Sequence, residues 1–126
     1  MITLSLPMPP SVNRLWRIAY DRHGGKRRMI KSERYCTWQQ SAHGYYLQQG
    51  IHRQPKIEGH FRACIVLDET KRGRSDVDNR AKAVMDALQA FGVISNDKYC
   101  DGMTVEWGTA PLGCLVTLTP VSVEHQ

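Results

Sequence analysis

The stretch Asp68-Glu69-Thr70-Lys71-Arg72-Gly73-Arg74-Ser75-Asp76-Val77-Asp78-Asn79-Arg80-Ala81-Lys82 decides how the chain folds, because three patterns meet in it. Before it, Gly59 to Leu67 set Phe61, Ala63, Ile65 and Leu67 at every second position, the period of a strand with one buried face. Asp68 to Ser75 reads as a charged loop. From about Val77 the apolar residues fall instead at Val77, Ala81, Val84, Met85, Leu88 and Phe91, a helical stripe that Gly92 ends. A strand–loop–helix junction therefore carries two aspartates, Asp76 and Asp78. A third, Asp97, follows in the loop Ser95-Asn96-Asp97-Lys98 after that helix.

Outward from this junction the elements are mixed. Ile2 to Leu6 alternate apolar and hydroxyl residues, a short strand that Pro7, Pro9 and Pro10 stop. Residues 11–31 read as an irregular or hairpin segment. At its centre, Gly24-Gly25 turns between basic residues in Asp21-Arg22-His23-Gly24-Gly25-Lys26-Arg27-Arg28. Ser32 can cap a helix running to about Gln49, with Gly50 as its stop and Tyr35, Trp38, Ala42, Tyr45 and Tyr46 as its buried face. Such a stripe is read as core rather than as a platform for stacking bases. Beyond Pro55 and the strand and helix already placed, two further strands fall at about 103–108 and 114–119. A turn at Pro111-Leu112-Gly113 joins them. The expectation is an α+β fold, a single domain over residues 1–126 with one mixed sheet packed against two main helices.

A chain of 126 residues with 41% hydrophobic content can bury a real core but not two. Its net charge of +5 and pI near 9.2 favour an acidic partner: DNA, RNA or an anionic membrane surface. No apolar run approaches the roughly 20 residues that span a bilayer. The amino terminus lacks the basic n-region of a signal peptide, so a cytoplasmic location is expected. Cys36, Cys64, Cys100 and Cys114 form no C-x-x-C pair and read as small apolar fillers, not zinc ligands or disulfides. His23, His43, His52, His60 and His125 show no ligand spacing and read as surface or satisfied histidines.

Acids crowded into a basic surface are unfavourable unless a cation sits among them. Caps explain part of the pattern: Asp76 falls at the helix start, and an acid at Asp78 complements the helix dipole. That accounts more comfortably for one aspartate than for two beside Asn79. A divalent ion binds hard oxygen ligands, and Mg2+ commonly takes one or two carboxylates plus waters and phosphate oxygens. Lys82 lies one turn beyond Asp78, away from the apolar stripe. It can pair with Asp78, or hold a scissile phosphate and steady the charge developing there. On spacing alone, helix-capping acids and a metal site both stand.

The same residues resemble the RusA family of Holliday junction resolvases. Arg74, Asp76, Asp78, Asn79 and Lys82 match its R-x-D-x-D-N-x-x-K motif. Asp86-Ala87-Leu88, Gly92 and Asn96-Asp97 keep its spacing, and Pro9-Pro10-Ser11-Val12-Asn13-Arg14 is similar to its P-P-S-x-N-R element. The likeness runs from the first strand to about Trp107. Ala19 to Ile30 and Lys98-Tyr99-Cys100-Asp101 depart from the family pattern. The resemblance implies a homodimeric endonuclease that nicks four-way DNA junctions symmetrically, in recombination and repair. Its cofactor would be Mg2+, with Mn2+ able to stand in. Carried over by position, Asp76, Asp78 and Asp97 are metal-binding catalytic carboxylates and Lys82 is the catalytic lysine.

For the DNA, Asn13, Arg14, Arg22, Lys26, Arg27, Arg28, Lys31, Lys71, Arg72 and Arg74 are the candidate contacts, positioning phosphates without reading sequence. Asp86 either approaches the site or pairs with a base on the helix surface. Asp101 and Glu106 read as solvated, while Asp68 and Glu69 balance the nearby basic loop. Two other functions fit the same residues: a nucleic-acid-binding module whose acids only cap a helix, and a metal-dependent nuclease acting on flaps, single strands or RNA.

Overall fold

The computed structural model describes residues 1–10, 16–20, 27–31, 33–71 and 78–121, without the side chains of 16–20, 27–31, 78 and 79. The strand that precedes the aspartate-rich junction, β4 (Phe61–Asp68), lies inside a four-stranded sheet of order β1-β6-β4-β5. The other members are β1 (Ile2–Pro7), β5 (Cys100–Gly108) and β6 (Gly113–Pro120). β4 runs antiparallel to β6 and parallel to β5. A parallel pair needs a crossover, and α2 (Asp78–Phe91) supplies it. The remaining strands, β2 (Trp16–Tyr20) and β3 (Arg27–Lys31), pair antiparallel as the hairpin alternative for residues 11–31 requires. The Gly24-Gly25 turn lies outside the described residues. The fold is α+β.

Alternation on β4 buries Phe61, Ala63, Ile65 and Leu67 against both helices, joined by Leu4, Leu6, Val116 and Leu118 from β1 and β6. Each such side chain contributes about 1.5–3 kcal/mol by leaving water. From α1 (Glu33–Gln48) come Tyr35, Trp38, Ala42 and Tyr46. From α2 come Ala81, Val84, Met85 and Leu88, with Ala83 and Ala87 beside them. Tyr45, expected in the core, is only half-buried. Its neighbour Tyr46 stacks on Phe91 with centroids 5.2 Å apart and donates its hydroxyl to the Phe91 carbonyl at 3.3 Å, which leaves Tyr45 at the rim. The Trp38 indole donates to the Pro7 carbonyl at 2.9 Å, fixing the proline end of β1 to α1.

Both helices stop at glycines in the left-handed region, Gly50 at φ 73° and Gly92 at φ 82°. After α2, the Val93 N–H returns to the Leu88 carbonyl at 2.9 Å and the Gly92 N–H to Gln89 at 3.2 Å, a Schellman ending.

Other expectations need adjusting. β5 begins at Cys100 rather than 103. Asp68 ends β4 nearly buried, at 8% exposure. Its carboxylate accepts from the Thr70 N–H at 3.0 Å and the Thr70 hydroxyl at 2.8 Å, so it caps its own turn, while Arg72 and Arg74 of the basic loop lie outside the described residues. Asp101 is exposed, as expected of a solvated residue, but pairs with His60 at 2.7 Å. Cys114 is a buried filler whose thiol is pushed up to about 12 by burial, whereas Cys36 is exposed.

Candidate active site

α2 begins at Asp78 and carries Lys82 one turn later. Its first turns face the start of β5, and between them opens a cleft of about 340 Å3. Ala81, Lys82 and Met85 line it from α2, Cys100 and Met103 from β5, and Asp97 from the turn between them. Two residues far apart in the chain that the family resemblance marks together, a lysine on a helix and an aspartate in a loop, thus share one cavity.

Asp97 reaches it through a series of backbone constraints. The Schellman ending at Gly92 redirects the chain, and Ile94 then bridges to Ile57. The Ile57 N–H donates to the Val93 carbonyl at 2.9 Å and the Ser95 N–H to the Ile57 carbonyl at 3.0 Å. Asn96 caps a short turn, Asp97–Tyr99, by accepting the Lys98 N–H at 2.9 Å. Gln89 of α2 accepts the Asp97 N–H at 3.1 Å. The Asp97 backbone is thereby tied to α2 while its side chain stays exposed, and among the described residues no cation pairs with it.

Lys82 is anchored from the other side. Its Nζ lies 3.1 Å from Asp86 Oδ1, with the lysine side chain 53% exposed and the aspartate 25%. Asp86 is also felt by buried Tyr35, whose hydroxyl is pushed up to about 12 by burial and then by the negative charge of Asp86. Asp86 does pair with a base on the helix surface, and that base is the candidate catalytic lysine, which lines the cleft.

Arg80 was not among the sequence candidates. Its guanidinium donates to the Pro9 carbonyl and so joins the Pro9-Pro10 segment to the first turn of α2. Gln89 was also missed. Neither carries a local signal, since each acts on a residue from another part of the chain.

Asp76, Arg72, Arg74, Asn13, Arg14, Arg22 and Lys26 lie outside the described residues, as do the side chains of Asp78, Arg27, Arg28 and Lys31. Lys71 is exposed at the end of the turn after β4. Among the described residues no three potential ligands converge. The exposed carboxylate of Asp97, with the backbone of Asp78 one turn from Lys82, is of the donor type a hard divalent cation takes. Neither described helix is long and apolar enough to cross a membrane.

A family model described as endodeoxyribonuclease RusA matches residues 7–118, a span that contains every element around the cleft. No curated protein sequence gave a match.

Proposed function

The chain belongs to the RusA endodeoxyribonuclease family, and from that premise we propose that it is a Mg2+-dependent, structure-selective endodeoxyribonuclease. Its substrate is the four-way DNA junction, resolved by paired symmetric nicks in recombination and repair within the cytoplasm. The observation that carries this reading is the cleft shared by Lys82 and Asp97 beside the first turns of α2. Helix capping gives no reason for a loop aspartate to lie there. A catalytic lysine and a metal-binding carboxylate need that proximity.

Asp76, Asp78 and Asp97 would hold the cation, with Mn2+ able to replace Mg2+. Such an ion, when bound, polarises a phosphoryl oxygen and lowers the pKa of bound water. The protein supplies the rest. Lys82, directed by Asp86, places its ammonium where charge develops on the phosphate and on the leaving 3′-oxygen. Arg80 holds the Pro9-Pro10 segment against α2, and Asn13 and Arg14, which follow it in the chain, contact the DNA backbone. Lys26, Arg27, Arg28, Lys31, Arg72 and Arg74 add phosphate contacts that position the junction. Two matched nicks require two symmetry-related sites, so the working form is a two-fold homodimer.

The test compares four-way junction, linear duplex, flap, single strand and RNA, each with and without Mg2+. Metal-dependent cutting of the junction well above the other substrates supports the reading. Binding with no cleavage would leave a nucleic-acid-binding module, and equal cutting of flaps, single strands or RNA would make it a nuclease of different specificity.

A further inference from the structure

The cleft beside α2 is lined by two kinds of side chain. Lys82 and Asp97 carry charge, whereas Ala81, Met85, Cys100 and Met103 offer only carbon and sulfur. Ala81 and Met85 belong to the buried stripe of α2. Cys100 packs against the same core and turns its thiol to the Gly102 carbonyl at 3.4 Å. Packing alone explains these three.

Met103 is different. It lies on the helix side of β5, aligned with Ala63, as Val105 and Trp107 are aligned with Ile65 and Leu67. Val105 and Trp107 are partly buried against the core, but Met103 stays 41% exposed. Single exposed apolar residues are ordinary on a protein surface. One that lines a cleft holding a phosphodiester also meets the substrate.

We propose that Met103 receives an unstacked base next to the scissile phosphate, and so helps the site prefer branched over linear DNA. The inference rests on the nuclease reading above and adds a specificity residue to the same site. With the phosphate held by Lys82, the carbon and sulfur wall meets whatever is attached to that phosphate. Phosphate oxygens gain nothing from a methionine, so the partner is the sugar or the base. The faces of a base are its apolar surface, and in linear duplex neighbouring bases cover them. Only an unstacked base presents a face to Met103.

Extruding a base is least costly where pairing is already disturbed. In a four-way junction the strand that crosses between arms leaves its stack at the branch point. Methionine is among the apolar residues that proteins insert at unstacked steps, and its thioether is attracted to aromatic rings. The cleft, at about 340 Å3, falls within the roughly 300–1,000 Å3 of pockets that hold small organic groups.

The test uses four-way junctions with 2-aminopurine, which brightens on leaving the stack, at each branch-point position in turn. In metal-free buffer, where nothing is cut, the natural protein should raise the emission at one position. Met103→Ala should lose much of that rise, and Met103→Leu, apolar and of similar volume, should keep it. In Mg2+, Met103→Ala should slow single-turnover junction cleavage by up to about tenfold, the upper end of one sulfur–aromatic contact. On a junction with that base removed, Met103→Ala and the natural protein should cut at the same rate. No rise at any position, or natural-rate cleavage by Met103→Ala, would overturn the proposal. So would a rate difference that persists on the abasic junction. Light scattering should give Met103→Ala the mass of the natural protein; a lower mass would place Met103 in a subunit contact instead. If the natural protein neither binds nor cuts junctions, the nuclease reading itself fails, and this inference with it.

Discussion

At the scale of single residues, the sharpest question is what Lys82 does. An exposed i,i+4 pair with Asp86 is worth well under 1 kcal/mol after solvent screening, so stability alone gives it little reason to be there. Lys82→Ala should therefore leave the melting temperature nearly unchanged while slowing single-turnover junction cleavage by about a hundredfold, the scale of one electrostatic contact in a transition state. Lys82→Arg keeps the charge but not the compact ammonium, and should rescue only partly. Asp86→Asn should slow cleavage less than Lys82→Ala and add nothing when combined with it. Near-normal cleavage by Lys82→Ala would assign the lysine to the helix surface.

Asp68 makes a separate, structural prediction. Hydrogen bonds from Thr70, and then the charge of Lys71, hold its carboxyl below the usual range. The folded-state pKa is thus below the unfolded value of about 3.9. Its contribution is present above that value and is lost as pH falls through the folded pKa. The melting-temperature gap between the natural protein and Asp68→Asn should be full at pH 7 and narrow below about pH 4. A gap constant down to pH 3 would contradict this.

At the scale of elements, what could be read from the chain depended on how local the cause was. The β4 alternation and the α2 stripe from Ala81 to Leu88 are written in consecutive residues and come out where expected, with Phe91 half-buried at the end and Val77 outside the described residues. Ala83 and Ala87 were missed because small residues at the shoulder of a stripe are buried by the closeness of the sheet, which the helix itself does not specify. The start of β5 was placed late. Cys100, Asp101 and Gly102 have no clear alternation, because the register with β4 shifts there and leaves Asp101 without a partner. The acids and the lysine were legible as a spacing, but the cleft was not. It depends on Ile57 meeting Ile94 and on Gln89 reaching Asp97, contacts between distant parts of the chain. Gln89→Ala tests that link. Losing a hydrogen bond worth about 0.5–1.5 kcal/mol should slow cleavage by up to about tenfold. Junction affinity should be unchanged, because Gln89 holds the position of Asp97 and not the DNA. Equal losses of rate and affinity would place Gln89 at the DNA surface instead.

At the scale of the whole molecule, the chain carries a net charge of +5 while the proposed site is made of acids. The basic surface draws in the phosphate backbone and releases counterions, so junction affinity should fall steeply with salt. Neutralising Arg27 and Arg28 together should flatten that dependence by about one or two units of slope; an unchanged slope would move the DNA surface away from the β2–β3 hairpin. The acids should behave in the opposite way, since they repel the phosphates and matter only for cleavage. The most direct measurement is therefore junction cleavage in Mg2+ alongside junction binding for Asp76→Asn, Asp78→Asn and Asp97→Asn. Each variant should lose cleavage and bind the junction as tightly as the natural protein or more so, whereas cutting retained by all three, or binding lost in step with activity, would contradict a metal site built from these aspartates.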